Sequence, residues 1–243
     1  MIPIACLSGE QAHVWRDVLA QAVTGELVGA LNYETLAGIF DDAGEKAEAM
    51  EHAAGERGHA ARFRAAGREL GLQVTDHLEA PYWKRIRTSF LDRARAGDLI
   101  SCVIAQEVML ESFAVASYQV VGEAAPSTLG ATFRTISGDE AEHIEHAVGM
   151  LRAERVRDEN SFDAKAHRMH EEVMTTLAEM VAREDHAGHC GLCETECVKP
   201  RLASVCVNLG DIRGASLRRY LKTLDQIGVP GELSLGWVAR LPV

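Results

Sequence analysis

The sequence predicts an all-α protein whose centre is a four-helix bundle, and three observations carry that prediction. Proline occurs only six times in 243 residues, alternating β-branched stretches are few, and long segments rich in Ala, Leu, Glu and Arg run between legible breaks. The first helix is expected over residues 10–40 and stops at the turn Asp41-Asp42-Ala43-Gly44. A second follows over 45–70, with Gly71 as its terminator, and a shorter one covers 80–95. Gly97-Asp98 opens a helix over 98–121, Pro126 suits the first turn of the next over 126–154, and another spans 161–185. Four helices of roughly 25 to 30 residues exceed the globular average of about 11 to 12, which favours a bundle over a globin-like cluster.

From residue 186 the chain changes character. A cysteine cluster comes first, then a helix over 211–227, then Gly228-Val229-Pro230-Gly231 and a short apolar end. The expected organisation is therefore a helical bundle over 1–185, with a Cys-rich segment and a C-terminal helix over 186–243 packing on it.

Composition narrows the function. With 36 Asp and Glu against 25 Lys and Arg, the formal charge is −11. That lacks the cationic surplus that sequence-independent binding to nucleic acid or an anionic membrane requires. Met1-Ile2-Pro3-Ile4-Ala5-Cys6 has neither the cationic start nor the apolar run of a signal peptide, and the longest oily segment, 99–110, is interrupted by Gln106 and Glu107. No membrane span is expected and the compartment is read as cytoplasmic. There the six cysteines are thiols or metal ligands rather than disulfides.

An internal repeat of ligand types points to the chemistry. Glu56 and His59 lie three residues apart, hence on one helix face about one turn apart, and Glu140 and His143 repeat the pattern on another helix. Each pair follows a helix with a glutamate at nearly equal spacing, Glu26 before the first and Glu111 before the second. One Glu from each of two helices and Glu-x-x-His from each of the other two is the layout of ferritin-like carboxylate proteins. Two iron(II) or manganese(II) ions bring four positive charges to four glutamates, and two imidazoles complete a site with open positions for oxygen or substrate. Without such ions the facing carboxylates would protonate or repel.

Tyr33 and Tyr118 each lie seven residues beyond Glu26 and Glu111, so each is expected on the face of its own glutamate. Glu107 lies one turn from Glu111, but its gap to Glu140 fits the repeat less well. Glu111 is therefore the expected ligand, and Glu107 a supporting or switching carboxylate. Glu51-His52, Glu145-His146 and His167 with His170 lack an upstream partner and are read as solvated-face residues, His146 having a further reading as a group behind the ligands. Gly29, Ala30, Ala114 and Val115 are small or modest residues near the ligands, which would leave an apolar channel or simply allow close helix packing.

Tyr33-Glu34-Thr35-Leu36-Ala37, Glu56-x-x-His59, Gln106, the run from Glu111 to Tyr118 and Glu140-x-x-His143 together resemble the aldehyde-deformylating oxygenases, also called aldehyde decarbonylases. The resemblance runs from about Gln11 to Glu154 and returns more weakly from Tyr220 to Leu241. It implies a non-haem di-iron centre that uses O2 as co-substrate and electrons from a ferredoxin-type donor. The implied reaction cleaves a fatty or other apolar aldehyde to formate and a hydrocarbon one carbon shorter. On this mapping Glu26, Glu56, His59, Glu111, Glu140 and His143 hold the metals, and Tyr33, Gln106 and Tyr118 support them.

The departure from that family is Cys190-x2-Cys193-x3-Cys197-x8-Cys206, flanked by His186 and His189. Its spacing suits zinc, an iron-sulfur cluster or a reversible dithiol at Cys190 and Cys193. Cys6 and Cys102 are expected simply to pack. The runner-up function keeps the bundle site but applies it to N-oxygenation or another oxidation of a specialised metabolite. Oxidation of iron for storage, and a metal-free interaction bundle, are the remaining classes.

Overall fold

The structure is a computed structural model that describes residues 7–182 and 197–242. Helix α1 (Gly9–Ile39) starts at Ser8, whose hydroxyl accepts from the Gln11 N–H while the Gln11 side chain accepts from the Ser8 N–H. This reciprocal cap satisfies two donors that the first turn would otherwise leave unpaired. The expected acidic turn follows, and Asp42 caps α2 (Ala43–Glu69) by accepting from the Gly44 and Glu45 N–H groups. Gly71 and Gly97 both take positive φ, 74° and 69°. Glycine adopts that conformation without steric cost, and these two end α2 and the shorter α3 (Pro81–Arg95).

Helix α4 (Leu99–Ala124) is continuous but not uniform, because residues Ile104–Leu110 form a π turn. Its 26 residues are long and apolar enough to cross a membrane by length and composition, contrary to the expectation that no segment would be. Within its most apolar window, however, 78% is buried inside the protein. The oily surface therefore faces other helices, as in the core element of a bundle.

Helix α5 (Ser127–Arg157) starts one residue after Pro126. Where α4 meets α5 the backbones nearly touch: a Cβ on Gly130 would lie 2.6 Å from the Gly122 carbonyl oxygen. Helix α6 (residues 159–180) contains a second π turn, His170–Met174, and ends short of the expected residue 185. After a 3-10 turn at Lys199–Val205 come α7 (Leu209–Ile227) and α8 (Gly231–Val238), the latter forming where only a short apolar end was expected. Among the described residues there is no strand.

The main helix pairs are α1 with α2 and α4 with α5, and α7 lies against α4. Two apolar clusters make the core. One contains Tyr33, Phe90, Met109 and Tyr220, the other Trp15, Phe63, Tyr118 and Phe133. Tyr33 and Tyr118 each send a hydroxyl to a buried carboxylate, Glu111 and Glu26 respectively. The polar centre thus sits at the junction of the two clusters.

Candidate dinuclear metal centre

All six expected ligands are buried and converge. Glu26, Glu56, His59 and Glu140 form one group whose donor atoms lie within 4.8 Å of one another, and Glu56, Glu111, Glu140 and His143 form a second. The groups share Glu56 and Glu140. Two cations held there would share Glu56 and Glu140, with Glu26 and His59 completing one position and Glu111 and His143 the other. Glu140 shows the geometry most plainly: Oε1 lies 2.8 Å from His59 Nδ1 and Oε2 lies 3.0 Å from His143 Nδ1.

The donor set fits a pair of divalent cations on its own chemistry. His59 Nε2 faces Asp139 Oδ2 at 3.1 Å, so a neutral ring that donates from Nε2 to Asp139 turns its Nδ1 lone pair inward. That lone pair meets Glu140 Oε1 at 2.8 Å and Glu26 Oε2 at 3.0 Å. Acceptors facing acceptors are repulsive unless a cation or extra protons lie among them. Glu140 Oε2 and His143 Nδ1 are buried without a hydrogen-bond partner, as a site shaped for an ion would leave them.

The metal-free protein would hold protons there instead. Burial raises Glu140 to about 8, with the charges of Glu111 and Glu26 adding to it, and holds Glu56 well above its ordinary 4.5. Burial alone would lower both histidines. Hydrogen bonds to Glu140 and Glu26 outweigh it and raise His59 to about 10, while Glu111 and Glu140 raise His143 to about 11.

The tyrosines support the site across the bundle. Seven residues along a helix is about 10.5 Å, too far for either hydroxyl to reach its own glutamate. Instead the supports are exchanged: Tyr33 donates to Glu111 at 3.2 Å, and Tyr118 donates to Glu26. These contacts place residue 33 beside 111 and 26 beside 118, so α1 and α4 run in opposite directions here. Burial and the adjacent carboxylates push both phenols well above 10, so both keep their protons.

The π turn distinguishes Glu111 from Glu107. Its backbone closes with the Glu111 N–H donating to the Gln106 carbonyl, five residues back. In a regular α-helix residues five apart are separated by about 140° around the axis. Here the wider turn stacks them, and Gln106 Nε2 donates to Glu111 Oε1 at 2.7 Å. Asn32 Nδ2 in turn donates to Gln106 Oε1 at 2.7 Å, and the Arg87 guanidinium holds Asn32 Oδ1 and Thr35 Oγ1. Glu107 is buried, belongs to neither ligand group, and is raised to about 8 by burial and the Glu111 charge.

Asp139, Asn32 and Arg87 were not anticipated from the sequence. Asp139 adjoins a ligand in sequence, so its neighbourhood was a usable signal. Asn32 and Arg87 act through Gln106 and carried none. The reading of His52 as solvated is corrected: its side chain is 16% exposed and its ring lies 4.1 Å from that of His143.

A cavity of about 170 Å³ opens onto this centre. Glu26, Glu56, Glu111, Glu140, Gln106 and Tyr118 form its polar end, while Val18, Ala22, Phe113, Ala114, Val121 and Phe133 contribute apolar wall. Gly29 lines it too, and a Cβ there would lie 2.8 Å from Glu56 Oε1 and 3.3 Å from Gln106 Nε2. Ala30 and Val115 are buried in helix contacts and do not line it. Gly29→Ala should therefore displace the Glu56 carboxylate. The expected result is reduced metal retention with an overpacking cost of about 1–3 kcal/mol, read from metal content and thermal unfolding.

Of the cysteine segment, Cys190 and Cys193 lie outside the described residues. Cys197 lines the cavity and Cys206 is exposed at φ 60°. Neither belongs to a metal-type cluster among the described residues.

Comparison with known proteins places this geometry in context. Residues 11–191 match the long-chain fatty aldehyde decarbonylase family. The fold is also similar to that of "Protein 19 with aldehyde deformylating oxidase activity" from Synechococcus, with a TM-score of 0.79 and 16% sequence identity. The similarity covers 96% of this chain and 98% of that one.

Proposed function

The chain belongs to the long-chain fatty aldehyde decarbonylase family, and on that footing we propose that Glu26, Glu56, His59, Glu111, Glu140 and His143 hold the two metal ions of its active site. The family makes it a di-iron oxygenase that cleaves fatty aldehydes. The observation that carries the site assignment is the pair of four-residue groups sharing Glu56 and Glu140 at the polar end of an apolar cavity.

When bound, the iron pair supplies O2 activation and a Lewis-acid seat for the aldehyde oxygen. The chain's own residues do the rest. Apolar walls take the alkyl chain and exclude water, so the substrate approaches with its polar end toward the carboxylates. Glu56 and Glu140 each face both halves of the site and fix their separation. The Tyr33 and Tyr118 hydroxyls and the Gln106 amide hold Glu111 and Glu26 against rotation. Tyr118 lines the cavity and keeps its proton on Oη beside Glu26, where it can be donated as a substrate bond breaks.

Balance sets the co-reactants. R–CHO with O2, four electrons and four protons gives R–H, formic acid and water. An external one-electron donor of ferredoxin type supplies the electrons in this reading. Zinc or an iron-sulfur cluster at Cys190, Cys193, Cys197 and Cys206 is a separate proposal, resting on spacing alone. Purified protein loaded with iron(II), given O2, a reductant and a panel of aldehydes and amines tests the main reading. Formate with a hydrocarbon one carbon shorter is the expected product. Oxygenated amine without hydrocarbon would instead favour N-oxygenation.

A further inference from the structure

The ligands of the centre are all at least nine-tenths buried, so a hydrated cation needs a way in. Helix α2 carries a line of donor residues toward them. Glu45, Glu48, His52, Glu56 and His59 follow at spacings of three, four, four and three residues, which is a single stripe along one face of a helix. Its outer end lies about 16 Å along the axis from Glu56. The short stripe Glu140, His143 and His146 on α5 runs beside it.

At the outer end the two stripes meet. Glu45, Glu48 and His146 offer donor atoms all within 4.8 Å of one another. His146 Nε2 lies 3.6 Å from Glu45 Oε2, and His146 Nδ1 lies 3.3 Å from Glu48 Oε1. Neither contact is a hydrogen bond: Glu45 Oε2 and His146 Nδ1 are shielded from solvent and have no hydrogen-bond partner. One ion would take a single ring nitrogen of His146 and one oxygen from each glutamate; donors held at roughly 2.0–2.2 Å from an ion stand about 3 Å apart when adjacent, so this group closes on a cation with small side-chain shifts. The side chains remain 30%, 43% and 29% exposed, so solvent reaches the group.

Inward from this rim lies His52, 4.0 Å from Glu48 Oε1 and with its ring against His143.

We propose that Glu45, Glu48 and His146 bind a third divalent cation at the rim of the bundle and pass it past His52 to the dinuclear centre. The loading role rests on the proposed ligands of that centre; the rim site itself does not. Crystals of the whole protein, soaked anaerobically with iron(II), would be measured at the iron absorption edge. An anomalous peak among Glu45, Glu48 and His146 is expected besides the pair in the bundle. In a Glu48→Gln, His146→Ala double variant the rim peak should vanish and the pair remain. At limiting iron(II) that variant should refill from the metal-free state more slowly by about 10-fold or more, because the local cation-concentrating field is weakened. Once fully loaded, it should turn over normally. Absence of the rim peak in the unaltered protein overturns the proposal whether or not the bundle positions are filled. An unchanged refilling rate overturns the loading role. Empty bundle positions beside a filled rim count against the ligand assignment alone.

Discussion

Glu140→Ala is expected to empty both halves of the centre, leaving little bound iron and only background turnover. Glu140 is the residue whose two oxygens face the two histidines, Oε1 toward His59 and Oε2 toward His143. Its loss removes a donor from each metal position and leaves the remaining imidazoles and carboxylates to hold protons. His143→Ala damages the group with Glu111 directly, whereas the Glu26 and His59 group keeps its donors. It should therefore lose turnover with partial rather than complete loss of metal. Glu107→Gln is the matched control, since it too alters a buried carboxylate but belongs to neither group. It should keep both ions at equilibrium. Metal content by elemental analysis, beside turnover with a fatty aldehyde, checks all three. Full metal content and activity in Glu140→Ala would show that another residue bridges the site.

The set of six converging residues was legible in the sequence because a carboxylate and an imidazole one turn apart on a helix face make a short spacing, and the chain carries it twice. The support around that set was less legible, for identifiable reasons. Spacing alone gave each tyrosine its face but not its partner, since two helical turns carry the hydroxyl past its own glutamate to the one on the opposing helix. The contact between Gln106 and Glu111 depends on a π turn, and a 3.6-residue period points the two in different directions. Asn32 and Arg87 act through Gln106 rather than on a ligand, so no ligand spacing reaches them. His52 was set aside because it lacks an upstream glutamate. That test belongs to bundle ligands and does not detect a residue that packs its ring on a ligand from the same end of the helix.

Removing the metal should make stability fall as pH rises, and the fall should be steepest where the site would hold protons. In the metal-free fold Glu140 and Glu107 are raised from 4.5 to about 8, by burial first and by neighbouring carboxylates second. Between those values the unfolded chain has released protons that the fold retains, so raising pH favours unfolding. His59 and His143 act in the same direction over a higher window. Their contribution is fully present below 6.5 and is lost as pH rises through about 10 and about 11. Bound divalent ions replace these protons, and loading must release them. The gain in Tm on adding iron(II) anaerobically should therefore grow from pH 5 to pH 8, with proton release measurable by calorimetry in buffers of different ionisation enthalpy. Asp98, whose carboxyl is lowered by Lys165 and Ser101 against burial, is ionised in both states across that window and adds no slope. A metal-dependent gain that is flat or shrinks with pH would mean that the buried carboxylates are not where the ions bind.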